Sequence, residues 1–161
     1  MSRIPEFAIM QNTALGALAI HSFTRDYYNA KNKEEGIVLP YLLPVLPIVF
    51  NEKASLKISS KQRRSTSFHK AISEEIFIPI GLQERMMDMY SLSMDSINSA
   101  LALGLIEYST NESMFYPKER IRLPNIVTGD NRNILKASSN LGFWFAEIDI
   151  EDLCISLKLT F

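Results

Sequence analysis

The residues best suited to chemistry in this chain are few and scattered. It has two histidines, His21 and His69, and one cysteine, Cys154. Neither histidine has a second His or Cys at ligand spacing, so a metal site is not expected. A lone cysteine can form neither an internal disulfide nor a Cys-based zinc site. Serines are plentiful, but no strand–turn–helix of the G-x-S-x-G kind presents one as a nucleophile. There is no P-loop and no G-x-G-x-x-G. The acidic clusters Glu74–Glu75 and Asp149–Glu151–Asp152 read as helix ends and solvated faces. His21 lies in a largely apolar helix, which suits a core or interface histidine with its hydrogen bonds satisfied. His69 belongs to a polar helix and is expected to be exposed. Trp144 stands between Phe143 and Phe145, and core packing explains that trio better than a ligand cage. The expectation is a chain without catalytic residues, metal or cofactor.

Binding is the next chemistry to consider. Residues 53–64 hold five cations in twelve positions: Lys53, Lys57, Lys61, Arg63 and Arg64. A solvated face is the favoured reading, and a phosphate-contacting patch the sharper one. Lys118, Arg120 and Arg122 form a second candidate set for backbone contact. The formal net charge is −1, so the protein as a whole does not draw in nucleic acid or an anionic membrane.

The elements that would position these groups can be read from the apolar pattern. The chain has 161 residues, 47% hydrophobic and 22% charged, which suits one globular domain over 1–161 and excludes extended disorder. The start, MSRIPEFAIMQ, lacks the n-region and apolar core of a signal peptide. A cytoplasmic protein with no membrane contact is expected. Asn12–Lys31 reads as a helix capped by Asn12 or Thr13, with Leu15, Leu18, Ala19, Phe23 and Tyr27 on one face. Gly16, Ala17 and Ile20 make the opposite face apolar too, so this helix is buried or lies in an interface. Lys31–Gly36 is a polar turn.

LPYLLPVLPIVF, Leu39–Phe50, is apolar throughout, but its twelve residues fall well short of the roughly 20 that span a membrane. Pro44 and Pro47 argue against a central strand, while Pro40 suits a first helical turn. A short, kinked, buried helix starting near Pro40 follows. A further helix is expected from about Thr66 to Glu75, with Phe68, Ala71 and Ile72 inward.

Pro79–Pro124 carries the clearest pattern. Ile80–Tyr90 reads as a helix with Leu82, Met86 and Met89 on one side. A second helix, Met94–Leu103, is capped by Ser91 or Ser93 and stopped by Gly104. Leu105–Tyr108 and Met114–Tyr116 form a hairpin around Ser109–Ser113. Helix, helix, hairpin is the order of a winged helix over about 79–124. Its second helix offers Asp95, Ser96, Asn98 and Ser99 rather than basic side chains, a poor match to a DNA groove. A protein-interaction module fits better. In the tail, Asn131–Phe145 forms a helix in which Ser138, Ser139 and Gly142 let another helix come close. Asp149 caps a last helix over Glu151–Leu157. The fold class is mainly α with a small β-hairpin (α+β). The apolar or aromatic positions proposed for a partner interface are Tyr108, Phe115, Tyr116 and Phe161, with core the favoured reading for Phe115.

Four stretches taken in order resemble a family: NTALGALAI (Asn12–Ile20), LPYLLPVLPIVF, ALALGLI (Ala100–Ile106) and KASSNLGFWFAEI (Lys136–Ile148). Asn12, Ala14, Leu39, Pro40, Leu46, Pro47, Gly104, Leu105, Lys136, Ala137, Leu141, Gly142, Trp144 and Phe145 match the pattern of the small middle component of bacterial three-component ABC-ATPase systems. Thr13 stands where that family usually has proline, and Ser156–Phe161 lacks a glycine often found near the end. The resemblance implies a non-catalytic adaptor that accompanies an SMC-like ABC ATPase and a third, effector component, a nuclease among the candidates. It implies a setting of Lamassu-type defence against phage or plasmids. The alternative carried by the residues themselves is a DNA-binding winged-helix transcriptional regulator. A mixed case joins the two readings, an adaptor that touches DNA only within the assembly.

Overall fold

The first helix runs on well before its expected cap. In the computed structural model, which describes residues 6–64, 67–75, 78–118 and 129–160, α1 spans Glu6–Ala30. Asn12 is an exposed interior position of it, so neither Asn12 nor Thr13 caps the helix. The physical reason is local: no Gly or Pro interrupts Glu6–Thr13, and Glu6, Ala8, Met10 and Gln11 favour helix. A capping residue starts a helix only where the chain before it turns away.

From Gly16 to Tyr27, α1 is buried on nearly every side, including Ala17, Ala19, Ile20, Phe23 and Tyr27. Other elements wrap around it, chiefly α8 (Asp130–Ala146) and α7 (Tyr90–Ala102). Two glycines make this possible. A Cβ on Gly142 would land on the Phe23 carbonyl oxygen, and one on Gly16 would land on the Ser96 hydroxyl. Ser138 is fully buried beside that seam, and its hydroxyl turns back to donate to the Ile134 carbonyl oxygen at 2.8 Å. The small residues of the tail thus admit another helix as expected, and that helix is α1.

Leu39–Phe50 folds as two short helices, α2 (Leu39–Leu42) and α3 (Val45–Val49), broken at Pro44. Pro40 occupies the first turn of α2. Pro47 sits in the first turn of α3, where amide hydrogens have no helical partner to lose. Every residue of α3 is buried. The apolar stretch is therefore an interior plug. Among the described residues no helix is long and apolar enough to cross a membrane.

The remaining helices are α4 (Glu52–Ser59), α5 (Ser67–Glu74), α6 (Leu82–Asp88) and α9 (Ile150–Leu157). Asn51 caps α4 by accepting from the Ala54 amide at 3.0 Å. Asp149 caps α9 by accepting from the Asp152 amide at 2.9 Å. α7 begins at Tyr90, so Ser91 and Ser93 lie inside the helix and cap nothing. It ends as expected: Gly104 has φ 72°, and the Leu105 amide donates back to the Ala100 carbonyl at 2.9 Å. α9 closes in the same way, with Lys158 in the left-handed conformation at φ 56° where a glycine would be usual.

β1 (Ile106–Ser109) and β2 (Met114–Pro117) pair antiparallel, with Tyr108 opposite Phe115. Phe115 also exchanges backbone hydrogen bonds with Ile37. The helix–helix–hairpin order is present in 82–117. α7, however, packs chiefly along α1, and the hairpin is stitched to the segment after α1. These elements are built into the bundle. Residues 119–124 of the predicted winged-helix span lie outside the described residues.

The core holds an aromatic cluster. Phe145 meets Phe23 edge-on at 5.4 Å and Phe68 at 5.7 Å, while Trp144 packs on Phe68 at 5.8 Å. Trp144 is 1% exposed, which places it in the core. The molecule is mainly helical with one small hairpin, the fold class expected from sequence.

Candidate interaction site

The hairpin carries Tyr108, Phe115 and Tyr116, three of the positions expected at a partner interface. Tyr108 is 45% exposed and packs on Phe115 with ring centroids 4.8 Å apart. Phe115 itself is buried, so it supports the hairpin from within and offers no surface. Tyr116 is half-buried, edge-on to Tyr28 at 5.6 Å, and its hydroxyl bonds to the Glu112 carboxylate. That bond is the main cause holding the Tyr116 hydroxyl above its ordinary pKa. Phe161 lies outside the described residues. One exposed ring, Tyr108, is what remains of the candidate surface on this hairpin.

The basic run fares differently from its appearance in sequence. Lys57 and Lys61 approach the same oxygen of Glu74 at 3.4 and 2.6 Å, and Lys70 reaches the other at 3.9 Å. The hydrogen bond from Lys61 is the leading cause holding the Glu74 carboxyl below the usual range. Arg63 Nη2 lies 3.1 Å from Asp26 Oδ2, and its Nε donates to Asn140 Oδ1 at 3.1 Å. Arg25 meets the same Asp26 oxygen at 3.3 Å and the Ser139 hydroxyl at 3.3 Å. Asn140 is buried and donates onward to the Ile58 carbonyl at 2.9 Å. Arg63 therefore clamps the segment after α4 onto α1 and α8. Lys53, Arg64 and Lys118 are exposed. Arg120 and Arg122 lie outside the described residues.

The groups with chemical potential sit where they do little. His21 is 3% exposed, and among the described residues its Nδ1 has no hydrogen-bond partner. It is a core histidine, but not the satisfied one expected. Burial is the leading cause that lowers its pKa, followed by the Arg25 charge, with Asp26 opposing. His69 is exposed. Cys154 is half-buried, and burial pushes its thiol up, away from the reactive thiolate. Among the described residues no group of three His, Cys, Asp or Glu side chains is placed to hold a metal ion.

One open apolar feature was not among the expected sites. A groove of about 430 Å³ lies where α6 meets α7, lined by Leu43, Gln83, Met86, Met87, Tyr90 and Ser93. Met86 faces inward with Leu82, but Met87 is 71% exposed and Tyr90 54%. Ser93 is buried in the wall, and its hydroxyl has no partner among the described residues. Arg85 turns away from the opening: its guanidinium donates to the carbonyls of Ile78 at 3.0 Å and Ile80 at 2.9 Å. A signal for this face was present in Met86-Met87-Asp88-Met89-Tyr90. One helix face cannot take every apolar residue of such a run, so some must point outward.

The groove is open and apolar, while Lys57, Lys61 and Arg63 are paired within the chain. The family model described as ABC-three component (ABC-3C) system Middle Component 3 matches residues 1–161. The chain belongs to this family. No curated protein and no solved structure matches it. As a middle component of a multi-component ABC system, it has protein partners. The surfaces of this middle component are therefore best compared by how well each would seat another chain. The α6–α7 groove combines the exposed side chains of Met87 and Tyr90 with an apolar floor.

Proposed function

We propose that this middle component is a non-catalytic adaptor, folded as one domain, that binds an SMC-like ABC ATPase and links it to a third, effector component. The setting we propose is defence against phage or plasmids of the Lamassu type. The match of the ABC-3C middle-component family over 1–161 is the observation that carries the reading. The open groove with Met87 and Tyr90 exposed together at its lip supports it, since exposed apolar side chains that adjoin one another mark interaction surfaces where single ones do not. The DNA-binding regulator draws less support. Lys57, Lys61 and Arg63 are engaged with Glu74 and Asp26, and the exposed face of α7 carries Asp95.

The test is co-expression with the ABC ATPase and the third protein encoded beside it, followed by size-exclusion chromatography. Co-elution at a fixed stoichiometry is the expected result. Elution as a lone species under every condition, with steeply salt-dependent DNA binding, would replace the adaptor with the regulator.

A further inference from the structure

Two arginines share one carboxylate where α1 meets α8. Arg25 and Arg63 each place Nη2 against the same oxygen of Asp26, at 3.3 and 3.1 Å. Buried groups of α8 fix them further: Arg25 donates to the Ser139 hydroxyl at 3.3 Å, and Arg63 Nε to Asn140 Oδ1 at 3.1 Å. Two cations on one carboxylate leave one positive charge in surplus, and holding like charges together is costly unless an anion offsets it. The local field has the same sign: at the buried His21, the Arg25 charge lowers the pKa by more than Asp26 raises it. The two arginine side chains are 41% and 42% exposed. Arg25 Nε and Nη1 and Arg63 Nη1 have no hydrogen-bond partner among the described residues, so both guanidinium groups keep donors for an outside acceptor.

We infer that the Arg25–Arg63 pair is the docking point for an acidic segment of a protein partner in the same ABC system, whose Asp or Glu carboxylate takes the spare guanidinium donors and neutralises the surplus charge. Guanidinium groups held by buried partners present a planar fork that matches a carboxylate. One surplus charge suits one carboxylate. A nucleic-acid backbone asks for a row of free cations, and the neighbouring Lys57 and Lys61 converge on Glu74 instead. The position also suits an adaptor. Gly16, which packs on Ser96 of α7, and Arg25 lie about two and a half turns apart on α1, so they point to opposite sides of it. The pair shares no residue with the α6–α7 groove and gives the chain a second surface. This inference rests on the adaptor reading and adds that surface and the chemistry of its partner.

The experiment measures binding of the full-length middle component to the ABC ATPase and, separately, to the third protein encoded beside it. Wild type is compared with Arg25→Gln, Arg25→Lys and Asp26→Asn, each checked by its melting temperature to be folded in the assay. For one of the two proteins, Arg25→Gln should weaken binding by about fivefold at low salt and less at high salt. Arg25→Lys keeps the charge but loses the fork, and should fall between Arg25→Gln and wild type. Asp26→Asn leaves two uncompensated cations and should tighten binding to the same protein. A purely structural clamp gives a different pattern, because loosening it from either side weakens binding, and that result would overturn the inference. Wild-type binding that none of the variants alters would also overturn it and leave the adaptor reading standing. Absence of wild-type binding to both proteins would overturn both. Opposed changes seen with random-sequence duplex DNA and with neither protein would assign the pair to phosphate and overturn the inference.

Discussion

Two apolar regions of this middle component behave in opposite ways. Along α1 and α8, small residues let two backbones meet, and Gly142 lies against the Phe23 carbonyl with no room for a side chain. Along α6 and α7, the apolar residues are large and flexible, and Met87 and Tyr90 stand in solvent. Both regions are rich in hydrophobic residues. The difference is closure: the first seam is filled by its own chain, and the second stands open to solvent. Residue size therefore tells more than hydrophobicity about which apolar surface is core and which is interface. The close seam tolerates no added volume, whereas the open face tolerates substitution until a partner is present.

Breaking the closed seam should have the largest effect. Gly142→Val inserts an isopropyl group of three carbons against backbone and is expected to destabilise the fold by about 3 kcal/mol, read by chemical denaturation. A change below 0.5 kcal/mol would mean the helices are free to part. Removing the carboxylate that unites α1, α8 and the segment after α4 comes next. Asp26 is buried, but Arg25 and Arg63 are partly exposed, which reduces the cost of leaving them unpaired. Asp26→Ala should cost about 1–2 kcal/mol. Arg63→Ala should cost less, because Arg25 still neutralises Asp26.

The seam should also respond to pH through His21. Burial lowers the pKa of His21 in the folded state, so the neutral ring is the one the fold accepts. Its contribution is present in full above the unfolded value of 6.5 and is lost as pH falls below it. The melting temperature should drop between pH 7.5 and 5, and His21→Leu should flatten that drop. An equal drop in both proteins would remove His21 as its cause. On the open face, Met87→Glu should change stability by no more than about 0.5 kcal/mol. The smallest effect is expected at the end of α9. Lys158→Gly relieves a left-handed residue and should add about 0.5 kcal/mol after the entropy of glycine is counted.

Much of the closed region was legible in the sequence, and the open region was not. Gly104, Asp149 and the small residues Ser138 and Gly142 announce a stop, a cap and a close approach, because each acts through local geometry. The proline-broken stretch Leu39–Phe50 reads as buried helix for the same reason. The start of α1 is not legible at Asn12 or Thr13, because a capping residue begins a helix only where the preceding chain leaves it. The basic run was misleading because charge pairing is tertiary. Asp26 and Arg63 are far apart in sequence, and the three lysines on Glu74 come from two helices and a turn. The groove was missed because Met86 and Met87 are alike in type and differ only in which way the helix turns them.

The most direct test of this account is hydrogen exchange of the middle component alone and bound to its ABC ATPase. The account predicts slow exchange along α1 and α8 in both states, and new protection on binding across residues 82–102. Protection appearing on the hairpin, with 82–102 unchanged, would contradict it.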